Sequence, residues 1–175
     1  SIFFVWMSLS LNKANPLKIE IPDDKYPVWA VHFLKENRIK GNLFPYFDWG
    51  EYCIWELHKT NKVFFDGRFE TVYQGPLRID YFRVLYGEED PNRLFNNHPE
   101  TDILLLPPKN PLLMRLQGEK GWVEVFRSNT AVILLKDNKT NQEPLFRYRS
   151  GSLRSPSITP PYYLERANSP SLPQG

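Results

Sequence analysis

The sequence predicts a small three-layer α/β domain with a mostly parallel sheet that ends in an antiparallel hairpin, followed by a disordered tail. Short apolar runs typical of buried strands alternate with segments of helical periodicity between residues 26 and 137. Strands that alternate with helices favour parallel pairing with helices on both faces of the sheet. The chain has 175 residues, 41% of them hydrophobic, which is enough to bury one core.

Five helices are predicted from apolar residues at helical spacing and from signals at the helix ends. Prolines supply favourable first-turn residues for most of them. Asp48 and Glu51 fit the N-cap and N3 positions of a capping box, and Gly41 is expected to end the first helix. The predicted helices are 27–38, 48–56, 76–86, 91–97 and 111–116.

Apolar runs between these helices predict the strands. The run DILLL, from residue 102, is the clearest central strand, because Pro107 and Pro108 stop it abruptly. The last two strands form a hairpin around a turn at 127–129. The predicted strands are 42–44, 62–66, 102–106, 122–126 and 130–136.

The opening residues, 1–11, read SIFFVWMSLSL and carry no charge. Eleven helical residues span about 16 Å, roughly half of the hydrocarbon thickness of a bilayer. No basic region precedes them and no small-residue cleavage site follows, so the pattern is unlike a signal peptide. We interpret 1–11 as the end of a transmembrane helix that begins upstream, and 12–25 as a linker. A short core strand or helix of a soluble domain is the alternative.

The stretch 138–175 differs in composition from the rest of the chain. It contains six prolines and six serines, and neither helical nor strand periodicity is found in it. Such a stretch buries too little apolar surface to offset the entropy of ordering it. We therefore predict a flexible tail, whose basic and aromatic residues are candidates for contact with anionic lipid headgroups or a partner. A plain solvated tail is the alternative.

Composition and spacing exclude several kinds of function. With 22 basic and 20 acidic residues the net charge is +2, which is not typical of a dedicated nucleic-acid-binding protein. The single cysteine, Cys53, excludes an intrachain disulfide and a Cys-rich zinc site, and it is expected to be a buried structural residue. The three histidines lack ligand spacing, so no metal site is expected. Asn138 begins a glycosylation sequon, a pattern short enough to occur by chance.

Four motifs between residues 26 and 136 carry a family resemblance. They are WAVHFLKEN from residue 29, DWGEY from residue 48, VFFDGR from residue 63 and DILLLP from residue 102, followed by the hairpin. In this order they resemble the C-terminal soluble domain of multi-pass membrane proteins similar to polyprenyl-phosphate-sugar-dependent glycosyltransferases, the protein-mannosyltransferase-like group. This chain differs in having Glu51 where a second glycine is common, and in its long tail.

The resemblance implies both a location and a role. In that family the soluble domain follows the last transmembrane helix on the extracytoplasmic side of the cell membrane, and the catalytic carboxylates belong to the membrane part. It therefore implies a domain without catalytic residues or cofactor that helps to position a lipid-linked sugar donor or a glycan or protein acceptor. Whether the parent is an active glycosyltransferase stays open. The alternative is a soluble α/β enzyme or ligand-binding protein with its site at the carboxyl edge of the sheet.

Candidate ligand-binding residues lie in the loops that follow the predicted strands. In an open parallel sheet, ligands bind where loops leave the carboxyl ends of the strands. In this position Arg68 is suited to hold a phosphate or carboxylate with two hydrogen bonds, and Trp49 is suited to stack on a sugar. Helix capping, turn formation and core packing explain the same residue types without a ligand. The candidates are Asp48, Trp49, Asp66, Arg68 and Lys109.

Overall fold

The computed structural model describes residues 21–67 and 75–157. The predicted transmembrane end at 1–11 and the candidate residue Arg68 lie outside these residues, so both stay predictions. Within the two described ranges, no helix is long and apolar enough to cross a bilayer.

The described residues form six α-helices and five strands, with a 3₁₀ turn before α2 and another before α6. The helices are α1 (Val28–Glu36), α2 (Gly50–Leu57), α3 (Pro76–Leu85), α4 (Pro91–Asn97), α5 (Pro111–Leu116) and α6 (Gln142–Arg149). The strands are β1 (Gly41–Pro45), β2 (Asn61–Val63), β3 (Thr101–Leu106), β4 (Trp122–Arg127) and β5 (Val132–Lys136). The five predicted helices and the five predicted strands are therefore confirmed, and the ends of all but α4 and α5 are shifted.

The strands form one open sheet in the order β2-β1-β3-β5-β4. β1 pairs in parallel with both β2 and β3, whereas β5 is antiparallel to both β3 and β4. The predicted α/β class and the terminal hairpin are confirmed, but the sheet is mixed and not mostly parallel. The reason is the path of the hairpin. β4 is parallel to β3 but lies at the edge of the sheet, and β5 runs back between β3 and β4, antiparallel to both.

Side chains of the central strand alternate between two hydrophobic clusters. Ile103 and Leu105 belong to one cluster, together with buried residues of α1, α2 and α6. Leu104 and Leu106 belong to the other, together with buried residues of α3, α4 and α5. Successive residues of a strand point to opposite faces, so β3 is apolar on both sides and every one of its residues is buried.

The ends of the first two helices differ from the prediction. α1 stops at Glu36, because Arg38 adopts a left-handed conformation with φ of 54°. α2 begins at Gly50, after a 3₁₀ turn at Phe47–Trp49, and no side chain caps it. The predicted capping box is therefore wrong, since Asp48 lies inside the 3₁₀ turn instead of at the N-cap.

The predicted disordered tail is wrong for residues 138–157. A 3₁₀ turn at Lys139–Asn141 leads into α6, whose Leu145 is fully buried in the core. The Asn141 side chain donates hydrogen bonds to the carbonyl oxygens of Asp102 and Lys136, at 2.8 and 3.0 Å. These contacts join the segment to the end of the sheet, so the folded domain extends beyond the predicted boundary at 137.

The sequon residue Asn138 is part of this same junction. Its side-chain oxygen accepts from the amide of Asn141, and its side-chain nitrogen donates to a carboxylate oxygen of Asp102 at 2.8 Å. The side-chain amide that a glycan would modify is thus used inside the fold. The sequence pattern at this position is explained by capping.

Candidate functional site

The carboxyl ends of three neighbouring strands lie at one edge of the sheet. β2, β1 and β3 are adjacent and parallel, so the residues that follow them, 64–67, 46–49 and 107–110, leave the sheet on the same side. The Tyr46 amide donates a hydrogen bond to the carbonyl oxygen of Leu105 at 2.8 Å, which holds the first of these loops to β3. This edge is where an open α/β sheet ordinarily binds its ligand.

A close backbone contact fixes the start of α2 at this edge. A Cβ atom on Gly50 would lie 2.7 Å from both the Cα atom of Asp66 and the carbonyl oxygen of Phe65. Nearby, a Cβ atom on Gly67 would overlap the Glu51 carboxylate. Only glycine permits the approach at residue 50, because the neighbouring atoms are backbone and have no room to move.

The structure describes four of the five predicted site residues and separates them. Trp49 is only 4% exposed and its indole nitrogen donates to the Lys25 carbonyl oxygen at 2.9 Å, so its ring has no free face for a sugar. Asp66 is fully buried. Asp48 and Lys109 are exposed, on loops that follow adjacent strands. The ligand-stacking role predicted for Trp49 is therefore wrong, and the packing interpretation is confirmed.

Other aromatic rings, which the sequence analysis did not select, lie at this edge. The Phe47 and Phe82 ring centroids are 5.2 Å apart, and the Phe82 and Tyr86 rings stack at 6.1 Å with an angle of 11°. Phe47 and Phe82 are half-buried and Tyr86 is 51% exposed. We call these three rings, with Tyr46 and Asp48, the aromatic shelf. Its sequence signals are the run YFDW and two aromatic residues four apart on one helix.

Tyr46 connects the shelf to the core. Its half-buried ring packs against both hydrophobic clusters and lies 5.3 Å from the Trp49 ring, between centroids. Burial raises the pKa of the Tyr46 phenol, and the Asp48 carboxylate and Tyr86 raise it further. Tyr46 therefore stays protonated near neutral pH, with Asp48 as a charged hydrogen-bond acceptor beside it.

Tyr81 supports the shelf from below. Its hydroxyl donates to the Pro45 carbonyl oxygen at 2.8 Å, and its ring stacks on Phe65 at 4.2 Å between centroids. Burial is the main cause that raises the pKa of this phenol. The hydrogen bond joins α3, which carries Phe82 and is followed directly by Tyr86, to the end of β1.

A second feature of this edge is a cavity of about 310 Å³ beside the hairpin turn. It is lined by Pro108 of the loop after β3 and by Arg127, Ser128 and Asn129. The Arg127 guanidinium is held by two hydrogen bonds from its Nε and Nη2 atoms to the Glu124 carboxylate, at 2.6 and 2.5 Å. These hydrogen bonds raise the pKa of Arg127. The one charged group that lines this cavity is therefore already paired within the protein.

No protein-family model, curated protein or solved structure matches this chain. The geometry of the site and the sequence motifs are therefore the observations that bear on function.

The described residues do not bring together a metal site: no group of three or more His, Cys, Asp or Glu side chains among them is placed to hold an ion. Cys53 is fully buried, and burial raises the pKa of its thiol far above the ordinary value, with a smaller contribution from Glu51. A thiol held protonated in the core is a weak nucleophile. The prediction of a structural cysteine is confirmed.

Proposed function

We propose that this chain is the non-catalytic, extracytoplasmic domain of an integral membrane glycosyltransferase-like protein, and that its aromatic shelf binds a sugar. The sugar belongs to a lipid-linked donor or to a glycan acceptor. The observation that carries this proposal is the set of partly exposed rings beside an exposed carboxylate at the carboxyl edge of the sheet.

The chemistry of the shelf suits a carbohydrate. An aromatic face packs against the apolar C–H face of a sugar ring, while its edge and hydroxyl remain available for polar contacts. The Asp48 carboxylate accepts hydrogen bonds from sugar hydroxyls, and the Tyr46 hydroxyl can donate or accept them. A small number of polar groups around an apolar surface is the usual composition of a ligand site.

Two further observations support the membrane part of the proposal. The uncharged apolar run at 1–11 precedes the domain, and the four motifs with the hairpin keep the order of the family that they resemble. Arg68, in the VFFDGR motif two residues after the buried Asp66, is proposed to bind a phosphate or carboxylate of the same ligand. We also infer that helices cover both faces of the sheet in three layers, since each face has its own hydrophobic cluster.

The sugar site is tested by binding measurements on the 175-residue chain. Titration with a panel of mannose, glucose, galactose and N-acetylglucosamine oligomers, followed by saturation-transfer NMR, is expected to identify a sugar that binds. Tyr86→Ala removes an exposed stacking ring and is expected to weaken that binding about tenfold, the effect of roughly 1.4 kcal/mol of lost stacking. Asp48→Asn is expected to weaken it as well, because a charged acceptor is lost.

Met114→Ala is the matched control, since Met114 is 64% exposed on α5 and lies outside the shelf. It should leave sugar binding unchanged. The proposed site is refuted when no oligomer binds, or when Tyr86→Ala and Met114→Ala bind alike. The membrane assignment has its own test: the coding sequence upstream of residue 1 should encode several apolar segments of about 20 residues.

A further inference from the structure

A second cavity lies at the opposite, amino-terminal edge of the sheet. It has a volume of about 370 Å³, is open to solvent, and is lined by residues at the ends of α1 and α2 and by those just before β1 and β2. Four of the side chains that line it are cationic and one is an acid. The cations are Lys35, Arg38, Lys40 and Lys59, and the acid is Glu56.

Most of this positive charge is not neutralised by the fold. Lys35 forms an ion pair with Glu56 across the two helices. Arg38, Lys40 and Lys59 are exposed, and none of them forms an ion pair with another residue in 21–67 or 75–157. Three unpaired cations around one concave surface attract an anion, because their fields add within a Debye length of about 10 Å.

The backbone of Arg38 gives a second, independent observation. The Arg38 amide donates to the Lys35 carbonyl oxygen at 3.0 Å, and the Ile39 amide donates to the Leu34 carbonyl oxygen at 2.9 Å. This pair of bonds is the Schellman motif, in which residue 38 takes the left-handed position that glycine fills best. Cations near helix C-termini complement the helix dipole, but that effect does not require an arginine in this strained position.

We propose that this cationic cavity binds a phosphate group. The planar guanidinium of Arg38 can donate two parallel hydrogen bonds to phosphate oxygens, and Lys40 and Lys59 add positive charge around it. A left-handed backbone conformation costs free energy in a residue other than glycine, so an arginine at this position is expected where the guanidinium has a function. The phosphate belongs either to a lipid headgroup or to a water-soluble phosphate compound. This site is separate from the aromatic shelf and stands or falls independently of it.

Calorimetric titration of the 175-residue chain with inorganic pyrophosphate tests the proposal. Wild type is expected to bind, and Arg38→Gly to bind about tenfold more weakly because a charged hydrogen-bond donor is lost. The same variant is expected to melt about 2–4 °C higher, since glycine relieves the left-handed strain. If Arg38→Gly binds pyrophosphate more weakly although it melts at a higher temperature, the loss of binding is not due to loss of folded structure, and Arg38 has a role in ligand binding.

Lys59→Ala is a second variant, also expected to weaken pyrophosphate binding, and Lys120→Ala is a control, since it removes an exposed lysine outside the cavity. Sedimentation with phosphatidylcholine vesicles, with and without phosphatidylglycerol, distinguishes the two sources of phosphate. Loss of binding to the anionic vesicles in Arg38→Gly supports a lipid headgroup, whereas loss of pyrophosphate binding alone supports a soluble phosphate. The proposal is overturned when neither probe binds wild type, or when Arg38→Gly binds both as wild type does.

Discussion

Tyr81 shows how one buried polar contact positions the aromatic shelf, the surface proposed to bind a sugar. Its hydroxyl is the link between α3 and the carbonyl oxygen at the end of β1, within a cluster that is otherwise apolar. A buried carbonyl that loses its donor costs more than the bond itself contributes, because water does not replace the partner. The geometry of Phe82 and Tyr86 therefore depends on a fully buried residue outside the shelf.

Tyr81→Phe is expected to lower the free energy of unfolding by about 1–3 kcal/mol. The ring still stacks on Phe65, so the loss reports the hydrogen bond to Pro45 and not the packing. Urea denaturation of both proteins measures the difference. Tyr86→Phe removes the same hydroxyl from a ring that is about half exposed, and it should leave the midpoint within error of wild type. Equal losses in the two variants would contradict this account.

At the same scale, the sequence predicted the site only in part. Asp48 and Lys109 were expected at the carboxyl edge, and they lie there because the loops that carry them follow adjacent parallel strands. Trp49 was misjudged, since composition does not distinguish a ring that covers the core from one that faces solvent. The bond from its indole to the Lys25 carbonyl oxygen joins residues 24 positions apart, which no local pattern records.

Among the elements, α6 was the one that the sequence analysis missed. Four of its eight residues, QEPLFRYR, are Gln, Glu or Arg and one is a proline, so the apolar periodicity of a helix is weak. Its support comes from distant residues instead: Arg147 donates to the Asn37 carbonyl oxygen at 2.6 Å, across 110 positions. By contrast, α4 and α5 were predicted at their observed ends, because proline and Asp or Asn mark their starts within the sequence itself.

Two adjacent residues test how much α6 contributes. Leu145→Ala is expected to destabilise the protein by about 2–5 kcal/mol, because a fully buried leucine leaves a cavity. Phe146→Ala is expected to cost less than about 0.5 kcal/mol, since its ring is 70% exposed. Thermal and urea unfolding measure both effects. A flexible segment at this place would give small losses for both variants, so that result would contradict the observed packing.

For the molecule as a whole, stability at mildly acidic pH depends on a partly buried histidine. Burial lowers the pKa of His32 below its ordinary value near 6.5, and Lys35 lowers it further, while Glu56 and Glu36 partly oppose them. The unfolded chain therefore binds more protons than the folded one between the lowered pKa and about 6.5. Stability falls as the pH decreases through that window, and below it this loss is complete.

His32→Gln is expected to flatten the dependence of unfolding free energy on pH in this window. The comparison requires urea denaturation at several pH values on each side of about 6.5. His58→Gln, at an exposed position, serves as the control and should keep the wild-type slope. If the pH dependence of the unfolding free energy persists in His32→Gln but disappears in His58→Gln, the effect belongs to His58 and the prediction is wrong.

The class of the whole fold was predictable, but the sheet order was not. Hydrophobic runs and end signals are local, and they indicated all five strands of the part of the chain that the structure describes. The position of β5 between β3 and β4 depends on which strand of the hairpin pairs with β3. The hydrophobic pattern of a single strand does not specify its neighbours in the sheet.

Among the strands of residues 21–67 and 75–157, β2 and β4 are the outer ones, and both are poor templates for a neighbouring chain. β2 has three residues and carries an exposed lysine at its centre. A strand added to this edge would form few backbone hydrogen bonds and would bury a charge. β4 has an irregular register between Glu124 and Phe126, which interrupts an even row of backbone groups. The two outer strands thus oppose aggregation by strand addition. The strongly apolar strand β3 is placed inside the sheet, where both of its edges are already paired.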